Sequence, residues 1–359
     1  MKLKNLSLKD YRNCINLNID LNYEKTIIIG KNAQGKTNIL EGIYYLSALK
    51  SPRTSNIKDF VRFGAKSFKI EGTPLKSDTD IDLEVEYELN KQKIQKLNGL
   101  KTTPKNYKSV MTTVLFSTQD LLLLRGTPQD RRNWLDSAIS QIYPTHDERL
   151  SKYNKIRTQK SNLLKETVIN DDLLDVFNEQ LVITGSNIIY TRQKFLSELK
   201  KHAILKYSEI SQNENFNFEY SFPYADIDTI SKKLQEELSE RKQEEIARHQ
   251  SIVGPHRDDI YFFINENDAT KFSSQGQQRT VVLGLKLAEI ELIKQKYGYN
   301  PILLLDDVLA ELDDLRQTYL LNSISSDTQT IITSVDTLLF NDEFLRNVKI
   351  YNIKNGEIA

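Results

Sequence analysis

Apolar residues recur along this chain with two spacings, which predict where strands and helices form. Residues 15–21 and 81–89 carry an apolar side chain at every second position, which is typical of strands with one buried face. The run 26–29 is short, apolar and rich in β-branched residues, and Gly30 follows it. Residues 39–46 then place apolar side chains at helical spacing. The pattern predicts the order strand, glycine loop, helix, with an antiparallel strand pair nearby.

The middle of the chain has a different character, because residues 148–249 are rich in Lys and Glu and have few apolar positions. This composition predicts a helical arm. Aromatic residues alternate at 216–222, which predicts a short extended segment within the arm. After the arm, the apolar runs 302–305 and 330–332 and the helical stripe 281–292 return to α/β patterning.

Two α/β segments separated by a helical one predict a single head with an insertion. We assign residues 1–147 to the N-terminal part of the head, 148–250 to the inserted, mainly helical arm, and 251–359 to the C-terminal part. A chain of 359 residues is long enough for two domains at about 150 residues per domain. Its 39% hydrophobic and 27% charged residues are typical of a folded protein and exclude a disordered one.

Charge and cysteine content limit the partners and the chemistry. Lys and Arg total 49, as do Asp and Glu, so overall charge gives no support for nucleic-acid binding and any basic surface must be local. Cys14 is the single cysteine, which excludes an intrachain disulfide and a Cys-based zinc cluster. The first residues lack the apolar core of a signal peptide, and no run of about 18 apolar residues occurs. We therefore expect a cytoplasmic protein without a membrane span.

Residues 30–37 fit the phosphate-loop pattern G-x-x-x-x-G-K-[ST], and they lie between the predicted strand and helix. Glycines let backbone N–H groups converge on phosphate oxygens, and the N-terminus of the following helix adds partial positive charge. Lys36 is predicted to reach the β- and γ-phosphates of ATP, and Thr37 to place its hydroxyl on Mg²⁺. The predicted ATP-binding residues of the loop are Gly30, Lys31, Asn32, Ala33, Gln34, Gly35, Lys36, Thr37 and Asn38.

A phosphate loop needs a carboxylate at the end of a neighbouring buried strand to hold Mg²⁺. The apolar run 302–305 supplies such an end, because Asp306 and Asp307 follow it directly. Asp306 is predicted to hold the metal ion together with Thr37. Asp307 is predicted to be catalytic, orienting or deprotonating the attacking water.

Residues 273–279 (SSQGQQR) resemble the signature sequence of ABC-type ATPases, with Ser274, Gly276 and Gln277 at the positions of its serine, second glycine and glutamine. They directly precede the helical stripe, and a helix start offers free N–H donors to a phosphate. Residues 310–313 resemble the D-loop of the same class. In that class the signature of one subunit completes the ATP site of the other, which implies an ATP-dependent homodimer.

Longer blocks lie at 116–121, 125–128, 131–136 and 254–259, and at 153–157 in the arm. They resemble the RecF family, and this resemblance covers nearly the whole chain. It implies a mixed α/β, ABC-ATPase-like head with an antiparallel N-terminal subdomain and an inserted helical arm. It also implies a weak DNA-dependent ATPase that binds single-stranded, gapped or double-stranded DNA and helps to load a recombinase with RecO- and RecR-like partners.

Two positions depart from the ABC pattern. Thr333 and Ser334 stand where that class carries a switch histidine that senses the γ-phosphate, and Asp307 replaces a longer glutamate. Both departures favour slow hydrolysis that serves as a timer. Gln119 is a candidate catalytic residue, as a sensor amide near the metal ion.

Two other classes share some of these features, a transporter-type ATPase subunit and an SMC-like structural protein. The inserted arm and the missing histidine disfavour the transporter type. An arm of about a hundred residues, folded back on itself, is too short for a long tether at ~1.5 Å per helical residue. Retention on DNA that depends on ATP would separate the three classes.

The sequence leaves more than one role open for His256 and for four of the arginines. His256 belongs to the block 254–259, where a structural role in a polar network that braces the signature and a contact with the nucleotide are the two alternatives. The other three histidines lack metal-ligand spacing and are expected to be ordinary side chains: His146, His202 and His249. Candidate contacts to DNA phosphates, for each of which a solvated surface is the alternative, are Arg53, Arg62, Arg131 and Arg132.

Overall fold

The structure, a computed structural model, describes residues 1–211, 213–224, 226–340 and 342–359. They divide into two compact units. The first comprises Met1–Leu121 and Glu289–Ala359, and the second comprises Leu122–Ala288. Within the described part of the chain, no helix has both the length and the apolar character needed to cross a bilayer.

Strands and helices occur in both units of the chain. The strands are β1 Lys2–Tyr11, β2 Cys14–Asp20, β3 Lys25–Ile29, β4 Ser67–Lys76, β5 Thr79–Asp80, β6 Leu83–Glu88, β7 Ile94–Leu97, β8 Leu100–Lys101, β9 Thr113–Ser117, β10 Phe216–Tyr220, β11 Ile260–Ile264, β12 Asn267–Asp268, β13 Ile302–Asp306, β14 Thr330–Ser334, β15 Val348–Lys354 and β16 Glu357–Ile358. The helices are α1 Lys36–Ala48, α2 Pro104–Lys108, α3 Pro128–Ile142, α4 His146–Leu163, α5 Asp171–Ile210, α6 Ile227–Glu240, α7 Lys242–Arg248, α8 Ala269–Phe272, α9 Gln275–Tyr297, α10 Asp314–Ser323 and α11 Asp342–Leu345. Short 3₁₀ turns cover Ile57–Phe60, Asp120–Leu122 and Val308–Glu311.

The first unit contains an antiparallel sheet of seven strands in the order β2-β1-β4-β6-β7-β8, with β5 paired to β4. The strands predicted at 15–21 and 81–89 are β2 and β6, but they do not pair with each other, because β1 and β4 lie between them. β1 does not follow the simple alternation, since its pairing with β4 shifts register between Leu3 and Leu6. The shift spaces two buried leucines three residues apart.

The other sheet of the first unit has the order β16-β15-β3-β14-β13-β9, and its five long strands run parallel. β13 and β14 are buried on both faces, which is why neither shows the alternation of a half-buried strand. Their carboxyl ends meet at one edge, where Ile29 lies beside Ser334, and Asp306 lies beside both Thr333 and Ser117. The loop after β3 and the start of α1 therefore face the acidic end of β13.

The second unit is mainly helical and contains a small antiparallel sheet in the order β10-β11-β12. Its longest helix, α5, has 40 residues, which corresponds to about 60 Å at 1.5 Å per residue. The strand β10 occurs where the aromatic alternation predicted an extended segment. The segment 148–250 otherwise forms α4 to α7, and the domain boundaries assigned at its ends remain a prediction.

Candidate nucleotide site

The phosphate loop joins the end of β3 to the start of α1 through a tightly packed turn. Gly35 has φ +108 and precedes the first residue of α1, a conformation that residues with a side chain rarely adopt. A Cβ atom at Gly35 would lie 2.7 Å from the side-chain amide of Asn13, and one at Gly30 would lie 2.6 Å from the carbonyl oxygen of Ile353. The β1–β2 turn and β15 thus approach the loop so closely that only glycine fits at these two positions.

Lys36 is buried in the first turn of α1, with 4% of the residue exposed. Its ammonium donates to the carbonyl oxygen of Gly30 at 2.9 Å, and the carbonyl oxygen of Lys31 lies at 3.5 Å. The same ammonium is 3.7 Å from Oδ2 of Asp307. A buried cation beside a helix N-terminus is a favourable place for a negatively charged phosphate.

Asp306 ends β13 and accepts hydrogen bonds from two hydroxyl groups, Thr37 Oγ1 and Thr333 Oγ1, each at 2.9 Å. Burial raises the pKa of Asp306, and the neighbouring carboxylate of Asp307 adds to that rise, while the two hydroxyl groups oppose it. Because hydroxyl donors are neutral, they do not cancel the charge of the carboxylate. A threonine hydroxyl beside a carboxylate oxygen offers the hard oxygen donors that Mg²⁺ prefers.

Asp307 follows β13 in a left-handed conformation, with φ 50, which Asp tolerates better than most residues. Its backbone N–H donates to Thr333 Oγ1 at 2.9 Å, so one threonine hydroxyl fixes the positions of both acids. The side chain of Asp307 is 32% exposed and is therefore accessible to a ligand.

These residues surround a cavity of about 520 Å³ in the first unit, a volume within the range of roughly 300–1,000 Å³ of ligand sites. Residues 32–38, Asp306 and Asp307 line the cavity. Gln119, in the turn after β9, is exposed and lines it too. Gly30 and Lys31, also predicted as ATP-binding residues, instead supply the carbonyl oxygens near Lys36.

Sequence reasoning missed a group of polar side chains that supports the far side of the cavity. Glu41 of α1 is buried and accepts two hydrogen bonds from Arg12, at 2.8 and 2.7 Å, and one from Ser51 at 2.6 Å. Arg53 lines the cavity, donates to Asn38 Oδ1 at 2.7 Å and lies 3.3 Å from Glu41. No short motif signals this group, because its members come from separate segments of the chain.

The signature residues occupy the start of α9. Ser274 Oγ accepts from the N–H of Gln277 at 3.2 Å, and Gln277 Oε1 accepts from the N–H of Ser274 at 2.7 Å. This reciprocal pair is a capping box, and Gly276 lies within it. Ser274 is exposed, so the capping box presents the signature on the surface of a helix N-terminus, where N–H groups can face a phosphate.

The block 254–259 belongs to the second unit, where Gly254, Pro255 and Asp258 are buried and Arg257 is exposed. Asp259 accepts two hydrogen bonds from Arg131, both at 2.7 Å, and Arg132 donates to the carbonyl oxygen of Asp258 at 2.5 Å. Both arginines are buried, so the prediction that they contact DNA phosphates is wrong. Their partners are 128 and 126 residues away in the chain, which is why no local pattern revealed the pairing.

His256 is held between two partners of the second unit. Its Nδ1 lies 2.7 Å from the hydroxyl of Tyr153, and its Nε2 lies 3.1 Å from the carbonyl oxygen of Ser251. Burial, together with the nearby charge of Arg157, lowers the pKa of His256 to about 3. The imidazole is therefore neutral at physiological pH, and these contacts favour the structural reading of this residue.

A phosphate loop, a strand that ends in two acids and a signature at a helix start, on a fold with one antiparallel and one mainly parallel sheet, define an ATP-binding head of the ABC/SMC type. The Smc head bound to the C-winged helix domain of ScpA shares this fold with a TM-score of 0.56 at 14% identity, over 100% of this chain and 98% of that one. The predicted mixed α/β head is confirmed.

Closer similarity identifies the family. The RecF/RecN/SMC N terminal domain family matches residues 2–359. The DNA replication and repair protein RecF of Streptococcus gordonii is 42% identical over 363 residues, covering 100% of both chains, and that of Bacillus subtilis is 38% identical over 371 residues, again covering 100% of both. The solved structure of the recombination mediator protein RecF-ATP in the RecFOR pathway has a TM-score of 0.90 at 32% identity, over 100% of this chain and 97% of its own. This chain belongs to the RecF family.

Proposed function

We propose that this chain binds ATP with Mg²⁺ in the cavity of the first unit and uses the bound nucleotide to hold DNA during replication and the recombinational repair of gaps. The observation that carries the proposal is the hydrogen bond between Thr37 and Asp306, which joins the phosphate loop to the acidic strand end at 2.9 Å. The relatives named DNA replication and repair protein RecF, and the solved RecF-ATP structure, support it.

The residues of the cavity fit a nucleotide with one divalent ion. Among the described residues, no group of three or more His, Cys, Asp or Glu side chains could hold a metal ion by itself. Mg²⁺ commonly uses one or two protein oxygens together with phosphate oxygens and water, and Thr37 with Asp306 would provide such a pair. When bound there, Mg²⁺ would neutralise negative charge on the phosphates. Lys36 and the N–H groups of the loop would orient the phosphate chain from the other side.

Asp307 is the residue we assign to the attacking water. Its carboxylate is accessible and lies 3.7 Å from Lys36, which supports a role at the end of a phosphate chain held by that lysine. Thr333 stands where a switch histidine is found in ABC proteins, and its hydroxyl is occupied by Asp306 and by the N–H of Asp307. A neutral hydroxyl that positions two acids stabilises less transition-state charge than a histidine, so hydrolysis is slow and acts as a timer. Gln119 would contact the same end of the nucleotide.

The signature at the start of α9 would complete the site in a second copy of the chain. Ser274, Gly276 and Gln277 lie at a helix N-terminus, which suits the γ-phosphate of a partner's ATP. Two copies closed on two nucleotides would hold DNA through its phosphates, without sequence specificity. The RecFOR pathway of the solved relative supports RecO- and RecR-like partners. A protein with these partners and this substrate works in the cytoplasm, where the chromosome is.

Retention on DNA tests the proposal. Fluorescence anisotropy of a labelled gapped duplex would be followed as unlabelled competitor DNA is added, with ATP, with ADP and without nucleotide. We expect the wild-type chain to dissociate slowly from DNA with ATP, but not with ADP or without nucleotide. Lys36→Ala should not be retained on DNA. Asp307→Asn should be retained for longer, because it keeps ATP but loses its water-orienting carboxylate. Equal dissociation rates with ATP and without nucleotide would contradict the proposed function, as would normal ATP-dependent retention in Lys36→Ala.

A further inference from the structure

We propose that one end of the antiparallel sheet, formed by residues 50–66 and the turn 89–93, is the surface that holds DNA, with Phe63 stacking on an unpaired base. We call residues 50–66 and 89–93 the basic edge. The inference rests on the proposed DNA-binding function and goes beyond it, because it names the surface and the feature of DNA that it recognises.

The basic edge concentrates positive charge in a chain whose total charge is zero. Residues 89–93 add Lys91, which is paired with Glu88 at 2.7 Å, and Lys93. Residues 50–66 contain one acid, Asp59, against five basic residues. The five are Lys50, Arg53, Lys58, Arg62 and Lys66. Arg53 is paired with Glu41 beside the nucleotide cavity and Arg62 with Asp10, so the excess of charge rests on the lysines. Since a phosphate backbone is attracted by a local excess of cations and not by net charge, this is the kind of surface that a neutral protein must use to bind DNA.

The fold brings the two segments of the basic edge to the same end of the sheet. The N–H of Leu89 donates to the carbonyl oxygen of Lys66 at 2.9 Å, directly beyond the last pair of β4 and β6. Lys93 Nζ lies 3.5 Å from the carbonyl oxygen of Leu49, which precedes residue 50. The cations of both segments therefore belong to one continuous surface.

Phe63 is the most exposed large apolar residue of the described chain, at 99%. It sits in a tight turn closed by a hydrogen bond from the N–H of Ala65 to the carbonyl oxygen of Arg62 at 2.9 Å, and Gly64 supplies the positive φ of +84 that such a turn needs. Phe60, three residues earlier, is 2% exposed and anchors the segment in an aromatic cluster. The ring of Phe63 is thus presented to solvent on a rigid base.

Two cations close to Phe63 in the chain are available to a ligand. Neither Lys58 nor Lys66 has an ion-pair partner among the described residues, and both are exposed. Arg62 donates through Nε to Asp10 at 2.8 Å and through Nη1 to the carbonyl oxygen of Phe63 at 3.3 Å. Arg62 therefore fixes the turn, and the two lysines are left to contact phosphates.

The rest of the same sheet is less suited to DNA. Its outer face carries a ladder of glutamates, in which Glu84 and Glu86 are bound by Lys96. Acids also mark the opposite end, where Asp80 is paired with Lys4 and Asp82 accepts from Thr73. The contrast between the two ends directs a polyanion to the basic edge.

An exposed aromatic ring among unpaired lysines favours DNA with an unpaired base. Aromatic side chains stack on single-stranded bases without regard to sequence, whereas a base within a duplex is already stacked on its neighbours. Lysines contact phosphates of either form. We therefore infer that the lysines bind both forms, and that Phe63 adds affinity only for single-stranded DNA or for the single-stranded part of a gap.

The test uses the full chain with ATP and measures DNA affinity against salt concentration, for single-stranded, gapped and fully duplex oligonucleotides. The double variant Lys58→Ala/Lys66→Ala removes two phosphate contacts, so the slope of log K against log salt should fall by about 1.4 to 1.8. The matched control is Lys101→Ala/Lys105→Ala, which removes two exposed lysines outside the basic edge and should leave the slope unchanged.

Phe63→Ala should lower the affinity for single-stranded and gapped DNA about tenfold and change the affinity for duplex DNA less than twofold. Phe63→Trp, which keeps a stacking ring, should restore it. Because Phe63 is fully exposed, these variants should fold and bind ATP normally, which ATP titration would check.

An unchanged salt slope in the lysine variant, or an equal fall in the control, would overturn the proposal and leave the basic edge to an acidic protein partner. Equal losses on duplex and gapped DNA for Phe63→Ala would also overturn it. A wild-type chain that fails to bind any of the three DNAs with ATP would instead contradict the proposed function itself.

Discussion

The nucleotide cavity of the first unit and a buried polar cluster of the second each contain two aspartates, but the charges of these aspartates are satisfied to different degrees. In the cluster, Arg192 donates to both oxygens of Asp136, at 2.9 and 2.8 Å, and His146 Nε2 lies 2.9 Å from the same carboxylate. Tyr220 donates to Asp258 at 2.5 Å. These five residues form the buried polar cluster, and its acids have partners before any ligand arrives.

In the cavity, Asp306 has hydroxyl partners and Asp307 stands 3.7 Å from Lys36. The pKa values of Asp306 and Asp136 differ accordingly. Burial raises the pKa of Asp306. Burial also acts to raise the pKa of Asp136, but Arg192 and His146 lower it well below its ordinary value. A buried carboxylate paired with cations, as Asp136 is, thus marks a structural contact, whereas Asp306, with hydroxyl partners, marks a site that a ligand completes. Asp258 of the cluster lies between these cases, because burial raises its pKa to about 6 although Tyr220 donates to it.

Breaking the buried polar cluster should have the largest effect on stability. Arg192→Met removes both bonds to Asp136 and the bond to the carbonyl oxygen of Pro255, which leaves a buried carboxylate with His146 alone. We expect the free energy of unfolding to fall by about 3–5 kcal/mol, measured by urea denaturation. Lys201→Met, on the exposed side of the same helix, should change it by less than about 0.5 kcal/mol. Equal midpoints for the two variants would refute the structural role of the cluster.

His256 offers a pH-dependent test of the same idea. Its folded-state pKa of about 3 lies below the ordinary value of 6.5, so the folded state binds fewer protons than the unfolded state. The contribution of His256 to stability is therefore fully present above pH 6.5 and is lost as the pH falls toward 3. Between pH 7.5 and 5.0, wild type should lose about 2 kcal/mol through this residue.

His256→Gln should lack that component, and the difference between the two proteins isolates it. Asp258, whose pKa is raised to about 6 by burial, titrates with the opposite sign, but it does so in both proteins and cancels. Urea denaturation at the two pH values would measure the difference. Parallel losses in wild type and variant would mean that His256 is protonated in the folded state.

Removing the charge of Asp306 from the cavity should raise the stability of the chain, whereas breaking the buried polar cluster lowers it. The pKa of Asp306 is raised, so without ligand the folded state binds the proton more tightly than the unfolded state, and the charged form costs stability at neutral pH. Asp306→Asn should therefore raise the Tm of the chain without nucleotide, and should lose the extra stabilisation by ATP with Mg²⁺. Glu357→Gln, an exposed acid of the same unit, should do neither. A lower Tm for Asp306→Asn without nucleotide would contradict the incomplete-site account.

Sequence reasoning succeeded where a contact depends on neighbours in the chain. The glycine spacing predicted the turn between β3 and α1, and the apolar run at 302–305 predicted the strand that carries Asp306. It failed for β1, because a register shift breaks the alternation of its leucines. It also failed for Arg131, whose exposure is decided by Asp259, 128 residues away.

The residues that support the cavity were not predicted either, because no local sequence pattern indicates them. Asn13, Arg12 and Glu41 approach the loop from the β1–β2 turn and from within α1, and only the folded sheet brings them there. Thr333 was noticed as the replacement of a histidine, but its bonds to Asp306 and to the N–H of Asp307 follow from the pairing of β13 with β14. Such contacts are set by strand order, which short sequence patterns do not contain.

The central claim is that the cavity is completed by ATP and by the signature of a second copy, and mixing two inactive variants tests it most directly. Ser274→Arg keeps its own phosphate loop but blocks the nucleotide of its partner, whereas Lys36→Ala keeps its signature but cannot hold ATP. Each should be inactive alone in a DNA-stimulated ATPase assay. In a mixed dimer one site carries both lesions and the other is wild type. When the two variants are mixed in equal amounts, about a quarter of all sites should be wild type, and the ATPase activity should return in that proportion. The activity should be lower if closure of the dimer needs both nucleotides. No activity at any protein concentration would contradict the shared site.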